Sequence, residues 1–232
     1  MLQKQQKEKK MKIYLNLLKK LPFFEGVPED AIEGTLKCFN ATIKRFAPGE
    51  IIWETDEEIT TVGIILKGKI YIAKDDYLGI RNIITELSQG ELFGEVFLSA
   101  GLERSPVTVF SETESDILFI KYKNIVETCG SACGYHITLV KNMLKLLSRR
   151  NILLNEKIEI LGKRTIREKL ICYFKAQMEK TKKNEVNISF SRQELADYLC
   201  VDRSALCREL SKMQKEELIE IEGKKVKILD II

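Results

Sequence analysis

The chain of 232 residues reads as an α+β protein: a β sandwich, roll or barrel, then one long helix, then a helix-turn-helix followed by a β-hairpin. Three observations predict this. Between Ala41 and Ile120, short β-branched and aromatic runs alternate with glycine turns. From Ile137 to Leu161, apolar residues recur at alternating spacings of three and four. From Ser191 to Ile228, two short helical patterns flank a turn and an alternating strand pair follows.

Composition agrees. Apolar residues make up 44% and aromatics 8%, enough to fill a core. The longest apolar runs, Ile64-Ile65-Leu66 and Ile117-Leu118-Phe119-Ile120, fall far below the roughly 18 residues needed to cross a bilayer. Met1 to Lys12 is basic, and no apolar stretch with a small-residue cleavage site follows, so a soluble, cytoplasmic protein without membrane contact is expected, with its six cysteines reduced. One histidine, His136, argues against zinc enzymes and Ser-His-Asp hydrolases, and with no catalytic triad or Walker loop an enzyme is not expected. The net charge of +4 is uneven: seven Lys against one acid in residues 1–20, 15 bases against 21 acids in 21–162, and 16 bases against 12 acids in 163–232. An acidic body precedes a basic C-terminal part, the asymmetry of a sensor joined to a polyanion-binding piece.

Along the chain, Ile13 to Leu21 has helical spacing that Pro22 ends, and Pro28-Glu29-Asp30 opens a short helix. Strands are expected at Glu50–Trp53, Val62–Leu66, Lys69–Ala73, Asn82–Leu87, Val107–Phe110 and Ile117–Lys121. The long helix places Ile137, Leu144, Asn151 and Ile158 at heptad position a, and Val140, Leu147, Leu154 and Leu161 at d. Such a seam predicts a homodimer, with Asn151 pairing across it to fix register; the alternative is packing on the chain's own domain. Gly162 marks the helix end or a hinge, and Ile166, Leu170, Ile171 and Phe174 start a new stripe.

Ser191 to Leu210 has the demands of a helix-turn-helix: small Ala196 at the helix crossing, Leu195, Leu199, Val201, Leu206 and Leu210 as shared core, and Asp202 to cap the second helix. Arg203, Ser204, Cys207 and Arg208 then point outward toward base edges, with Arg192 nearby. Leu218 to Ile228 alternates around Gly223 as a wing whose Lys224 and Lys225 suit phosphates. Together these call for double-stranded DNA as partner.

At these residues the chain resembles the cyclic-AMP-receptor/fumarate–nitrate-regulator (CRP/FNR) superfamily of bacterial transcription regulators, from about residue 14 to the end. The resemblance implies a basic tail (1–12), a double-stranded β-helix (jelly-roll, cupin-like) sensor domain (13–128), a dimerisation helix (129–162) and a winged helix-turn-helix domain (163–232). It also implies inverted-repeat operators, and RNA polymerase as a partner if the protein activates. Where the turn of such motifs usually carries glycine, this chain has Cys200; at positive φ it would hold a local strain of about 1 kcal/mol. By the same resemblance, Gly90 to Phe97 with Arg104 and Ser105 looks like the family's phosphate-binding cassette. Gly94, Glu95, Arg104, Ser105 and, on the helix, Asn151 would be effector residues. Pro106 departs from that cassette by lacking an N–H. The effector stays open between a cyclic nucleotide, another ligand and none. Cys129, Cys133 and His136 share a helical face and form a candidate metal, haem, iron–sulfur or thiol-redox site, with plain packing as the alternative. Cys38, Cys172 and Cys200 are expected to pack. The rival reading is a cyclic-nucleotide sensing module without DNA function, which leaves the winged motif unexplained.

Overall fold

A computed structural model describes residues 13–75, 81–127, 134–188 and 190–229. The chain divides into two compact units, Met1–Leu147 and Ser148–Ile232, and the division falls inside the long helix α5 (His136–Gly162).

The first unit opens with helix α1 (13–18), a 3₁₀ turn at Pro22–Phe24 and α2 (Glu29–Cys38). Among the described residues eight strands follow: β1 (Thr42–Phe46), β2 (Ile51–Trp53), β3 (Thr61–Lys67), β4 (Lys69–Asp75), β5 (Arg81–Ser88), β6 (Leu92–Phe93), β7 (Thr108–Ser111) and β8 (Ser115–Lys121). Short helices α3 (Glu95–Ser99) and α4 (Tyr122–Val126) interrupt or follow them. Among the described residues all pairings are antiparallel, in two four-stranded sheets ordered β1-β8-β3-β6 and β2-β7-β4-β5.

Between the sheets lie Phe46, Trp53, Ile65, Ile70, Phe93, Val109, Ile117 and Phe119. On the outer face of the first sheet, Val62, Ile64, Leu66, Leu118 and Ile120 pack against Leu18, Phe23, Phe24, Ile32, Leu36, Leu139 and Met143 from the helices. Strands β3 and β8 are therefore buried on both faces. This explains why they read as unbroken apolar runs rather than alternating ones. Six strands stand where expected; β1 and β6 do not appear in the sequence pattern. Strand β1 is an edge strand with Lys44 and Arg45 exposed, and β6 has two residues.

One buried charge ties α1 to this roll. The Asp116 side chain is 1% exposed and accepts from Arg45 Nε (3.0 Å) and Nη2 (3.1 Å) and from Tyr14 Oη (2.6 Å). Three donors satisfy a carboxylate that would otherwise be costly to bury. Asn142 of α5 adds a second tie, donating to the carbonyls of Phe23 (2.9 Å) and Glu25 (2.8 Å).

In the second unit, a capping box starts α6 (Ile166–Thr181): Thr165 accepts from the Glu168 N–H and Glu168 accepts from the Thr165 N–H. Strand β9 (Glu185–Asn187) follows, then α7 (Arg192–Leu199), α8 (Arg203–Lys215), β10 (Ile219–Glu222) and β11 (Lys225–Ile228). The sheet order is β10-β11-β9, so the expected hairpin gains a third strand that the sequence reading does not include. Leu170, Phe174, Leu195, Ala196, Leu199, Leu206, Leu210, Met213 and Val226 form the core, and Ile160 at the end of α5 joins it.

Burial and the hydrogen bond to Asp116 raise the Tyr14 phenol from 10.0 to about 12. A raised acid favours the fold while it stays protonated. Its contribution should thus be full below pH 10 and lost as pH rises toward about 12. Tyr14→Phe should cost about 1 kcal/mol at pH 7 and abolish that alkaline component in urea titrations; equal alkaline loss in both proteins would contradict the assignment.

Candidate nucleic-acid interface

Helix α8 has two faces. Leu206, Leu210 and Met213 are buried; Arg203, Ser204 and Arg208 are exposed, and Cys207 is half-buried on the same side. Asp202 caps the helix as expected, accepting from the Ala205 N–H at 2.8 Å. It also accepts from Ser204 Oγ, which in turn accepts from Arg208 Nη1 at 3.2 Å. These bonds hold the Asp202 carboxyl below the usual carboxylate range, Ser204 contributing most. The outward row is thus pre-ordered by its own cap. Toward its end, the same face carries Ser211, Lys212 and Lys215, which with Cys207 and Arg208 line an open groove.

Behind the row, Arg167 of α6 donates to Glu209 (2.5 Å) and Glu216 (2.7 Å) and fixes α8 from its inner side. The Glu216 carboxyl is held low by this arginine. Sequence reading missed Arg167, because a pair 42 residues apart leaves no local pattern. Arg192 opens α7 and is half-buried, behind a Ser191–Glu194 capping box. Lys224 and Lys225 are exposed in the wing, where Gly223 turns at φ 59°; Lys225 also pairs with Glu185 at 3.2 Å.

The turn contains Cys200 at φ 51°, ψ 56°, the left-handed region that glycine usually occupies. Cys200 is exposed, which corrects the expectation that it packs. All four last carbonyls of α7 nevertheless find donors. Ala196 accepts from the Val201 N–H and Asp197 from the Cys200 N–H, while Tyr198 accepts from Lys157 Nζ and Leu199 from Lys169 Nζ at 3.0 Å. Cations suit this negative helix end.

In the first unit the cassette residues take distinct places. Gly94 sits at φ 85° at the start of α3, where a Cβ would lie 2.4 Å from the Trp53 ring, so only glycine fits. Glu95 and Ser105 are buried. Ser105 Oγ donates to the Val107 carbonyl (2.6 Å) and its N–H to the Glu57 carbonyl (2.9 Å). Arg104 is 64% exposed and turned to Asp56, bonding its carbonyl (2.5 Å) and pairing with its carboxylate (3.4 Å). Asn151 belongs to the other compact unit and accepts from Asn155 at 2.9 Å.

Cys129 and Cys133 lie outside the described residues. His136 is 4% exposed, edge-on to Phe39 at 4.7 Å, with Nε2 3.9 Å from Cys38 Sγ. Cys172 is half-buried and donates to Glu159 at 3.6 Å. Along α5, Ile137, Leu144, Asn151, Leu154 and Ile158 are exposed, whereas Val140, Leu147 and Leu161 are half-buried. Val140 and Leu147 pack partly on their own unit, so in the first heptads position d serves the chain's own core as well.

The cyclic nucleotide-binding domain model matches residues 43–131 and the Crp-like helix-turn-helix domain model matches residues 168–231. Joined in one chain, a sensor roll and such a reading domain define a class: one-chain transcription regulators. The chain belongs to the CRP/FNR family of DNA-binding transcription regulators. It is similar to the cAMP-activated global transcriptional regulator CRP of Pasteurella multocida, 23% identical over 203 residues that cover 84% of this chain and 95% of that one. It is also similar to the transcriptional activatory protein AadR of Rhodopseudomonas palustris, 24% identical over 200 residues covering 80% and 77%. Its fold is similar to that of DNR from Pseudomonas aeruginosa, with a TM-score of 0.52, 18% identity and 94% of each chain covered.

Because Cys200 is exposed and left-handed, Cys200→Gly should relieve strain and raise stability by about 0.5–1 kcal/mol. A lower denaturant midpoint in the glycine variant would contradict this account of the turn.

Proposed function

We propose that the protein is a homodimer that reads an inverted-repeat operator, one half-site per subunit, through α8. The observation that carries this reading is the row of exposed Arg203, Ser204 and Arg208, with half-buried Cys207 among them, on a helix whose opposite face is core. Arginine forks match guanine O6 and N7, and the wing lysines suit the flanking phosphates. Two half-sites then follow from two-fold symmetry.

Dimerisation is supported by the seam on α5. Ile137, Leu144, Leu154 and Ile158 are large apolar residues left in solvent, Ile158 by 67%, at heptad spacing. A second copy of α5 would cover them, with Asn151 of each chain paired at the seam. A signal at the roll or at the start of α5 would bias two arrangements of the helix pair through differential affinity. The cassette's donors are engaged within the chain: Arg104 to Asp56, the Ser105 N–H to Glu57, and none from Pro106. A cyclic nucleotide would have to displace these bonds, so a different effector fits the cassette better. A cytoplasmic regulator that contacts RNA polymerase when it activates completes the reading.

On a duplex selected from a random library, Arg203→Ala or Arg208→Ala should weaken binding roughly 10- to 100-fold and lose base preference at one position per half-site. Lys224→Ala or Lys225→Ala should weaken selected and scrambled duplexes alike and reduce the salt slope by about one. Unchanged affinity in all four variants would remove α8 and the wing from the interface. In sedimentation the wild type should be dimeric at micromolar concentration, and Leu154→Glu with Ile158→Glu should yield monomers. A monomeric wild type would refute the seam.

A further inference from the structure

We infer that Lys157 of the long helix is a positioning residue for DNA reading: by gripping the last turn of α7 it sets the angle at which α8 is presented. The inference rests on α8 as the reading helix.

Lys157 makes two contacts with one residue. Its ammonium donates to the Tyr198 carbonyl and lies 3.3 Å from the centre of the Tyr198 ring. That ring is itself held: it stacks on Phe190 (5.2 Å, 29° between planes) and meets Tyr173 edge-on (5.8 Å). A cation over a fixed, half-buried aromatic face is a directional contact. Burial pulls the Lys157 ammonium below its ordinary lysine value, Cys200 opposing and Lys169 adding to the shift.

Neighbouring residues of α5 hold α6 instead: Glu156 pairs with Lys180 at 2.6 Å, and Glu159 accepts from Cys172. Lys157 reaches past them to Tyr198 of α7, two residues before the left-handed Cys200 and four before the Asp202 cap of α8. Leverage makes the position matter. Arg208 lies about 8 Å along α8 from Arg203, so a 10° change at the turn would move it by roughly 1 Å, enough to spoil a bidentate base contact. The turn lacks glycine and is strained, so a hold from outside the two helices has something to set. Lysine at this position does not sit on the outward face of α8. It should therefore release no counterion on DNA binding.

The test uses the full-length protein with a selected inverted-repeat duplex and a scrambled duplex of equal length, over a range of salt. In Lys157→Met, the preference for the selected duplex should fall about tenfold while the affinity for scrambled DNA and the salt slope stay unchanged. Lys169→Met, which removes the α6-borne cap from the same helix end, should keep the preference, and Lys157→Arg should retain most of it. Should Lys157→Met fail to fold, Tyr198→Leu replaces it and should lose the same preference. Full preference in Lys157→Met, or in Tyr198→Leu where that replaces it, overturns the inference. So does a salt slope lower by about one, which makes Lys157 a phosphate contact, or an equal loss in Lys169→Met, which makes both lysines simple caps. A wild type that does not distinguish the duplexes overturns the reading of α8 as well, and separates that failure from this one.

Discussion

The rest of the molecule depends on one constraint: a single 27-residue helix must bury different stripes at its two ends and still present a third. At its start, His136, Leu139, Asn142 and Met143 close the helical face of the β roll. At its end, Ile160 enters the core of the reading unit. The remaining stripe, Ile137, Leu144, Asn151, Leu154 and Ile158, faces solvent in the single chain. Leaving this many large side chains in water at heptad spacing is unfavourable unless another surface covers them. The same helix thus runs from the first compact unit into the second.

Each end is anchored by polar chemistry as well as by packing. Asn142 is locked to the 3₁₀ turn by two carbonyls, and Asp116 of β8 ties α1 to the sheet through Tyr14 while Arg45 of the neighbouring β1 satisfies the rest of its carboxylate. At the other end, Arg167 braces α8 from within while two lysines close the end of α7. Strain at Cys200 is tolerated because the surrounding carbonyls are satisfied. This is how a departure from the family's glycine can persist in a working motif.

Much of this is legible in the sequence where the physics is local. Capping at Asp202, the small Ala196, the αL turn at Cys200, the hairpin around Gly223 and the end of α5 at Gly162 all follow from residues within a turn of one another. The doubly buried β3 and β8 announce themselves as apolar runs. Strand β1 does not, because an edge strand with exposed Lys44 and Arg45 looks like a loop; β9 hides in a polar segment for the same reason. Long-range polar contacts are illegible in principle: Tyr14 to Asp116 spans 102 residues and Lys157 to Tyr198 spans 41. The cassette is an intermediate case. Its motif is plain in Gly94, Glu95, Arg104 and Ser105, but what its donors bind depends on Asp56 and Glu57, which belong to no motif.

In the proposed dimer, two copies of α8 would meet one duplex. Hydroxyl-radical footprinting of the protein on a selected duplex tests this most directly. Two protected half-sites about 10–11 base pairs apart, on one face of the DNA and lost together on dilution of the protein, are the result this architecture predicts. Protection of a single half-site, saturating with one chain per duplex, would contradict it.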